Sequence, residues 1–217
     1  LDLFGVPRSA LPRCVPTRGE LGTLDIGRRK IPMRVLTGDQ SAALFADGPP
    51  RSDVAYVTFG TGAFVLRPVE GESPAADRLL ITLVDREGDR TLLALEGTVN
   101  GAGAALAWIV EELDLEDPTR DLERWLADEQ DPPLFRNEVG GLAAPFWVPD
   151  FASGFEGEGS PQAKIVAVLE SVVFLVVTIL REMHSALPPP TLLRAGGGLA
   201  RIHGLCTRLA SLSGVPV

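Results

Sequence analysis

Tyr56-Val57-Thr58-Phe59-Gly60-Thr61-Gly62-Ala63-Phe64 sets two runs of β-branched and aromatic residues on either side of a Gly-Thr-Gly turn. Residues 54–59 and 63–69 alternate well enough to be strands, and the tight turn joins them. Glycine lets the backbone come close to a phosphate oxygen, and the Thr61 hydroxyl adds a donor. By itself the segment reads equally as a plain hairpin turn. Upstream, Thr37-Gly38-Asp39-Gln40-Ser41-Ala42-Ala43-Leu44-Phe45 follows a short strand and adds one acid and one amide. Downstream, Arg194-Ala195-Gly196-Gly197-Gly198-Leu199-Ala200 sets a glycine run between a strand and a helix. Read in order, the three segments suit phosphoryl transfer from a nucleotide to an alcohol. They offer a base, a phosphate cradle and a nucleotide platform.

Alcohols are poor nucleophiles, and a carboxylate such as Asp39 can orient a hydroxyl and accept its proton. An Asp before a helix is also a common N-cap, and local physics alone favours the cap. Gln40 either orients a polyol hydroxyl or faces solvent. Phe64 is core by default. Gly101-Ala102-Gly103-Ala104-Ala105-Leu106 superficially resembles a dinucleotide fingerprint, but Leu106 stands where a small residue is needed and no clean βαβ unit follows. Close helix packing explains those small residues equally well. The glycines at 196–198 either contact a nucleotide at the helix start or form a flexible turn. The acidic residues from Glu111 to Asp117 read as a solvated face.

The chain has 217 residues, of which 45% are hydrophobic, enough for a sizeable core in one domain or a domain and part of another. Its formal net charge of −9 argues against a nucleic-acid partner. Small anions stay open, because local N–H groups rather than net charge hold them. Two cysteines, Cys14 and Cys206, form neither a disulfide framework nor a metal site, so a reduced, cytoplasmic setting is expected. His184 and His203 lack metal-ligand spacing, and no protein-held metal is expected. Leu1-Asp2-Leu3-Phe4-Gly5 does not read as a signal peptide and reads as the interior of a longer protein. The apolar run 165–180 is short for a membrane span and is interrupted by Glu170, Ser171 and Thr178, so a buried core helix is expected.

Along the chain, residues 1–30 read as connecting turns with a short helix, 31–36 as a short strand interrupted by Pro32, and 40–46 as a helical turn. A second strand pair is expected at 79–85 and 91–95, around Arg86-Glu87-Gly88-Asp89. Helices are expected from just after Gly101 to 112, over 121–128, and over 161–184, the last opened by Pro161 and stopped by Pro188-Pro189-Pro190. Residues 140–161 read as loop, with Phe146, Trp147, Phe151 and Phe155. A strand at 191–194 then leads through the glycine run into a last helix reaching 212. Strands followed by helices alternating with strands make an α/β chain.

Taken together, these segments resemble the FGGY family of carbohydrate kinases, glycerol kinases above all. The family's Gly-Asp-Gln-x-Ala-Ala-Leu-Phe is matched at Gly38 to Phe45, and its aromatic-Gly-Thr-Gly-x-Phe at Phe59 to Phe64. Leu95-Glu96-Gly97, then Ala102-Gly103-Ala104 and Trp108, match a further segment. So do Gly141 to Trp147 and Leu169-Glu170-Ser171. The opening Leu1 to Pro7 looks like the family's segment near the end of its first domain. The resemblance covers essentially the whole chain.

The resemblance implies an actin-like, ribonuclease-H-like ATPase fold of two domains with the active site between them. It implies that 1–36 ends the N-terminal domain and the connection, and that 37–217 is a C-terminal domain lacking its last helices. Asp39 would be the base, Gln40 and Phe64 would contact the polyol or sugar, and Gly60, Thr61 and Gly62 would hold phosphates of ATP or ADP. Gly103, Gly197 and Arg201 would line the nucleotide site, with Mg²⁺ held through the nucleotide. The family's Asp before the glycine run is Ala195 here, its Asn near the adenine is Arg201, a nucleotide-reaching Gln is Ala107, and Val148 follows Trp147 in place of Asp. The first domain's Asp-Gly-Thr loop and Arg-Glu pair do not occur and would lie upstream. This piece alone is therefore expected to be catalytically silent and, with apolar surface left uncovered, to be open to self-association. The alternatives are a degenerate nucleotide-binding module of the same fold and, on 101–106 alone, a dinucleotide-dependent oxidoreductase.

Overall fold

The computed structural model describes residues 2–71, 74–150 and 152–217. Leu1 of the opening segment and Phe151 of the aromatic loop lie outside them. The chain opens with two single-turn 3-10 helices, Asp2–Phe4 and Arg8–Ala10, followed by the antiparallel pair β1 (Arg18–Ile26) and β2 (Arg29–Val35). The expectation of turns over 1–30 is thus corrected: residues 18–26 form a nine-residue strand. Its partner β2 includes the expected 31–35, and Pro32 sits inside it opposite Thr23. A two-stranded ribbon has an open edge on each strand, so proline costs it no ladder bond.

The central sheet has five strands in the order β5-β6-β4-β3-β9. They are β3 (Val54–Phe59), β4 (Ala63–Val69), β5 (Leu80–Glu87), β6 (Arg90–Val99) and β9 (Leu192–Gly197). The β3–β4 hairpin turns at Gly60-Thr61-Gly62, as its alternation predicts. The β5–β6 hairpin is also as expected, with β6 reaching Val99 rather than stopping at 95. Only β9 is parallel to its neighbour β3, with Phe59 in register with Gly197. Period two divides β3 cleanly. Ala55, Val57 and Phe59 enter the main core, whereas Tyr56 points to a smaller cluster with Leu44, Leu66 and Ala94.

Helices cover the main-core face: α2 (Gly103–Glu112), α3 (Leu122–Asp128), α4 (Pro161–His184) and α5 (His203–Ser213). Short α1 (Asp39–Ala43) sits on the other side, its Leu44 end in the smaller cluster. The bounds of α4 match the sequence expectation. Ser160 caps it, accepting from the Ala163 N–H at 3.1 Å, and Pro161 opens it. The helix is long and apolar enough to cross a membrane, but 72% of its most apolar window is buried inside the fold. Burying each Val, Leu or Ile there contributes roughly 1.5–3 kcal/mol. Gly97 of β6 lets α4 lie close, since a Cβ there would fall well inside contact distance of Ile179.

Two further expectations need correction. The stretch read as loop is bracketed by a small antiparallel pair, β7 (Leu134–Arg136) and β8 (Gly154–Glu156). The glycine run does not open an α-helix: Gly196 and Gly197 finish β9, a 3-10 turn follows at Leu199–Arg201, and α5 starts only at His203.

Candidate functional site

Parallel strands β3 and β9 both end at one edge of the sheet, and the connections leaving them diverge there. β3 turns back into β4 through Gly60–Gly62, and β9 runs on into Gly198. Ligands in α/β sheets bind beyond the carboxyl ends of parallel strands for this reason. The two ends are tied together: the Gly198 N–H donates to the Phe59 carbonyl at 2.9 Å. Gly197 has φ +92°, and a Cβ on it would collide with the Phe59 backbone. Only glycine suits that position.

A third element joins them. The Gly103 N–H donates to the Gly60 carbonyl at 3.0 Å, and the N–H groups of Ala102 and Ala104 donate to the Thr61 carbonyl at 3.1 and 2.9 Å. A Cβ on Gly103 would lie 2.7 Å from the Gly60 oxygen, and one on Gly62 would lie 2.6 Å from the Val99 oxygen. Gly60, Thr61, Gly62, Gly103 and Gly197 therefore form one cluster, packed backbone to backbone. The first amides of α2 are spent on the turn's carbonyls, so the helix start braces the turn rather than facing outward.

The surface this leaves is open. Gly60, Thr61, Gly196, Gly197 and Gly198 are exposed, and a Cβ on Gly196 or Gly198 would meet nothing within 4 Å. That bare glycine floor is shaped to admit a phosphate chain close to the backbone. Arg201 is exposed in the 3-10 turn just beyond it. Among the described residues no group of three or more His, Cys, Asp or Glu could hold a metal ion.

Gln40 and the glycine floor share one cavity of about 200 Å³, which Tyr56, Thr58, Asp47 and Arg194 also line. Gln40 lines this cavity, and its Oε1 atom is buried without a hydrogen-bond partner. Arg194 reaches across from β9 to Asp47 at 3.1 Å. Asp39 is exposed one residue before Gln40, and its Oδ1 accepts from the Gln40 N–H at 2.8 Å. The N-cap position belongs to Gly38, and Asp39 is the first helical residue. Phe64 is half-buried in the smaller cluster, directly opposite Thr58 across the β3–β4 ladder. Cross-strand partners share a face, so Phe64 stands one strand from the cavity wall. Sequence reasoning passed over Tyr56, Thr58 and Arg194 as cavity residues. The alternation of β3 was the available signal for the first two. A larger cavity, about 660 Å³, lies at the far end of β4, between Arg18, Val69, Asp85 and Leu92.

Comparison with known proteins places this geometry in context. Residues 55–217 match the FGGY family of carbohydrate kinases, C-terminal domain. The glycerol kinase of Xanthobacter autotrophicus is 33% identical over 229 aligned residues, covering 100% of this chain and 46% of that protein. The glycerol kinase of Methylobacterium nodulans is 35% identical, with the same coverage of 100% and 46%. This chain thus spans less than half the length of these relatives. Among solved structures, a Plasmodium falciparum glycerol kinase with ADP superimposes with a TM-score of 0.81 at 20% identity, over 92% of this chain and 42% of that one. A xylulose kinase from Brucella ovis gives 0.79 at 20% identity, over 99% and 46%. The shared fold is the actin-like ATPase fold, over the C-terminal half of those proteins.

Proposed function

The chain belongs to the FGGY family of carbohydrate kinases, and from that premise we propose that it is the nucleotide-binding and base-carrying part of an ATP-dependent polyol or sugar kinase, with glycerol the preferred substrate. The observation that carries this is the single cavity joining Gln40 to the Gly196–Gly197 floor, beside the Gly60–Thr61–Gly62 turn. It puts Gln40, next in sequence to Asp39 on α1, on the same wall as the floor where phosphates would lie. Asp39 takes the proton of a primary hydroxyl as that hydroxyl attacks the γ-phosphate in line. The unpartnered Gln40 Oε1 accepts from a substrate hydroxyl, and Phe64 packs against its carbon chain.

The nucleotide rests on Gly60, Thr61, Gly62 and Gly197, with Gly103 bracing the turn and Arg201 at its outer end. Bound with Mg²⁺, ATP supplies the phosphoryl group and the metal's charge. Residues 37–217 act as the C-terminal kinase domain, and residues 1–36 belong to the preceding domain and the connection. Closure of a second domain over the cavity completes the site, so this chain alone does not turn over. A second reading, a nucleotide-binding module without catalysis, is favoured by Ala195, which gives β9 no carboxylate beside the glycine floor.

Two measurements test the proposal. Calorimetric titration of the chain with Mg-ADP should show binding; its absence, repeated with the full-length protein, would remove the nucleotide platform. Asp39→Asn in the full-length protein should abolish glycerol phosphorylation and spare nucleotide binding. Unchanged turnover would overturn the role of Asp39.

A further inference from the structure

Four polar side chains among the described residues are buried: Ser41, Arg67, Asn137 and Ser171. Two of these touch each other directly behind the site. The Asn137 Nδ2 donates to the Gly101 carbonyl at 2.8 Å and to the Ser171 Oγ at 3.0 Å. The Ser171 hydroxyl, in the middle of α4, donates in turn to the Val168 carbonyl at 2.6 Å. The Asn137 Oδ1 accepts from the Val139 N–H at 3.3 Å. A buried amide is costly unless satisfied, and this one is satisfied at both ends.

The partner Gly101 is the last residue but one before α2. Its own Cα faces the amide so closely that a Cβ would lie 2.6 Å from the Asn137 Oδ1. From the other side, the Asn100 Nδ2 donates to the Gly140 and Gly141 carbonyls at 2.6 and 3.1 Å. The Asn100-Gly101 turn is thus held between two amide side chains. The next three residues, Ala102, Gly103 and Ala104, are those whose N–H groups hold the Gly60 and Thr61 carbonyls. An unbroken path of hydrogen bonds and backbone runs from the core helix through Asn137 and Gly101 to the phosphate turn.

We propose that Asn137, anchored on Ser171, is a positioning residue that fixes the start of α2 and, through it, the Gly60–Thr61–Gly62 turn. The proposal rests on the reading of that turn as the phosphate cradle. The core contains apolar alternatives for filling this space, and a hydrogen-bonded amide is directional where packing is not. A cradle built on close glycine contacts has only the exposed Thr61 side chain of its own, which holds none of its shape. The amide supplies that direction from behind.

The test is amide hydrogen exchange on the whole chain, comparing wild type with Asn137→Ala and Ser171→Ala, together with Mg-ADP titration of each. Removing a buried hydrogen bond of ordinary strength should raise exchange at Ala102, Gly103 and Ala104 by about tenfold. The β4–β6 ladder amides, Val65 and Leu95 among them, should change far less. Ser171→Ala should raise exchange at the same three amides, by a smaller factor. Mg-ADP affinity should fall about tenfold for Asn137→Ala. Exchange that rises evenly through the ladder and α5, or stays unchanged at 102–104, would overturn the proposal. So would Mg-ADP affinity unchanged in Asn137→Ala beside a binding wild type. A wild type that binds no Mg-ADP, with exchange still raised selectively at 102–104, would remove the nucleotide reading and leave the positioning role standing. Asn137→Leu keeps the volume while removing the donor to Gly101 and adds no buried charge. It should reproduce the selective exchange of Asn137→Ala if that variant folds poorly.

Discussion

Gly197 and Phe59 end the two parallel strands of the sheet in register, and they approach so closely that a Cβ on Gly197 would overlap the Phe59 carbonyl. The glycine also has φ +92°, a region L-residues rarely enter. Gly197→Ala therefore faces both strain and a backbone collision, and neither is relieved by turning a side chain. It should destabilise the chain by about 3 kcal/mol and remove Mg-ADP binding. Gly198→Ala, whose Cβ meets nothing within 4 Å, is the control and should leave the denaturation midpoint nearly unchanged. Equal midpoints for the two variants would contradict the geometry.

Arg208 of α5 forms an ion pair with Glu170 of α4, and its Nη2 also donates to the Leu126 and Glu129 carbonyls at 2.7 and 2.6 Å. Burial lowers the guanidinium pKa, opposed by the nearby Glu129 charge. One side chain thus ties three helices together in a mostly water-free position. Arg208→Ala would strand the Glu170 charge and leave two carbonyls unmet, costing about 3 kcal/mol. The double variant Arg208→Met with Glu170→Leu should lose less than Arg208→Ala alone, because the stranded charge is gone. Urea denaturation of the three proteins decides it, and a double variant weaker than the single would count against the account.

Leu24, Ile26, Ile31, Met33 and Val35 lie on one face of the β1–β2 hairpin, by the pairing of Leu24 with Ile31 and Gly22 with Met33, and all five are exposed. The opposite face carries Asp25, Lys30 and Arg34. The hairpin's apolar face thus does not serve the folding of this chain. Ile31→Lys and Met33→Lys should each shift stability by no more than about 0.5 kcal/mol. The same pair should lower self-association measured by light scattering, since contiguous apolar surface promotes it. A large drop in melting temperature would show that the face is covered after all.

That hairpin also shows where reading the sequence stops short. The alternation Leu24-Asp25-Ile26 and Ile31-Pro32-Met33-Arg34-Val35 is a strand signal, but Gly19, Gly22 and Gly27 and the charges around them read as turns. Nothing in the chain's own core confirms the signal, because none of the five apolar residues on that face joins a core cluster. In contrast, β3, β4 and α4 were legible because their patterns coincide with burial, and the Ser160–Pro161 start and the proline stop frame α4. The three-residue strands β7 and β8 are too short to show a period. The glycine run misleads for another reason. Glycine before a helix suggests a helix start, and only parallel pairing with β3, far back in the chain, makes Gly196 and Gly197 a strand end. At the site, the motif residues themselves were legible as a set. That the amides of α2 are spent on the carbonyls of Gly60 and Thr61 is a tertiary fact with no local signature. The Asn137–Gly101 bond is another.

Asp53 fixes the opposite ends of β3 and β9, and this relationship gives a pH dependence with a definite sign. Arg51 donates to its two oxygens at 2.9 and 2.6 Å, and the Thr191 hydroxyl donates to Oδ2 at 2.9 Å. Those bonds, Arg51's first and Thr191's second, hold the Asp53 carboxyl below its usual range. A carboxyl with a lowered folded pKa adds stability above its unfolded value, about 3.9, and loses it as pH falls through the folded value. Asp53→Asn should therefore melt below wild type at pH 7, with the gap closing as the solution is acidified past the carboxylate range. The site is solvent-exposed, so the gap should be small, and salt should narrow it. Thr191→Val, which removes one donor and keeps the Thr191 N–H bond to the Asp53 carbonyl at 2.8 Å, should show a smaller gap with the same pH course. A gap that persists unchanged at low pH would mean that Asp53 acts through packing rather than charge.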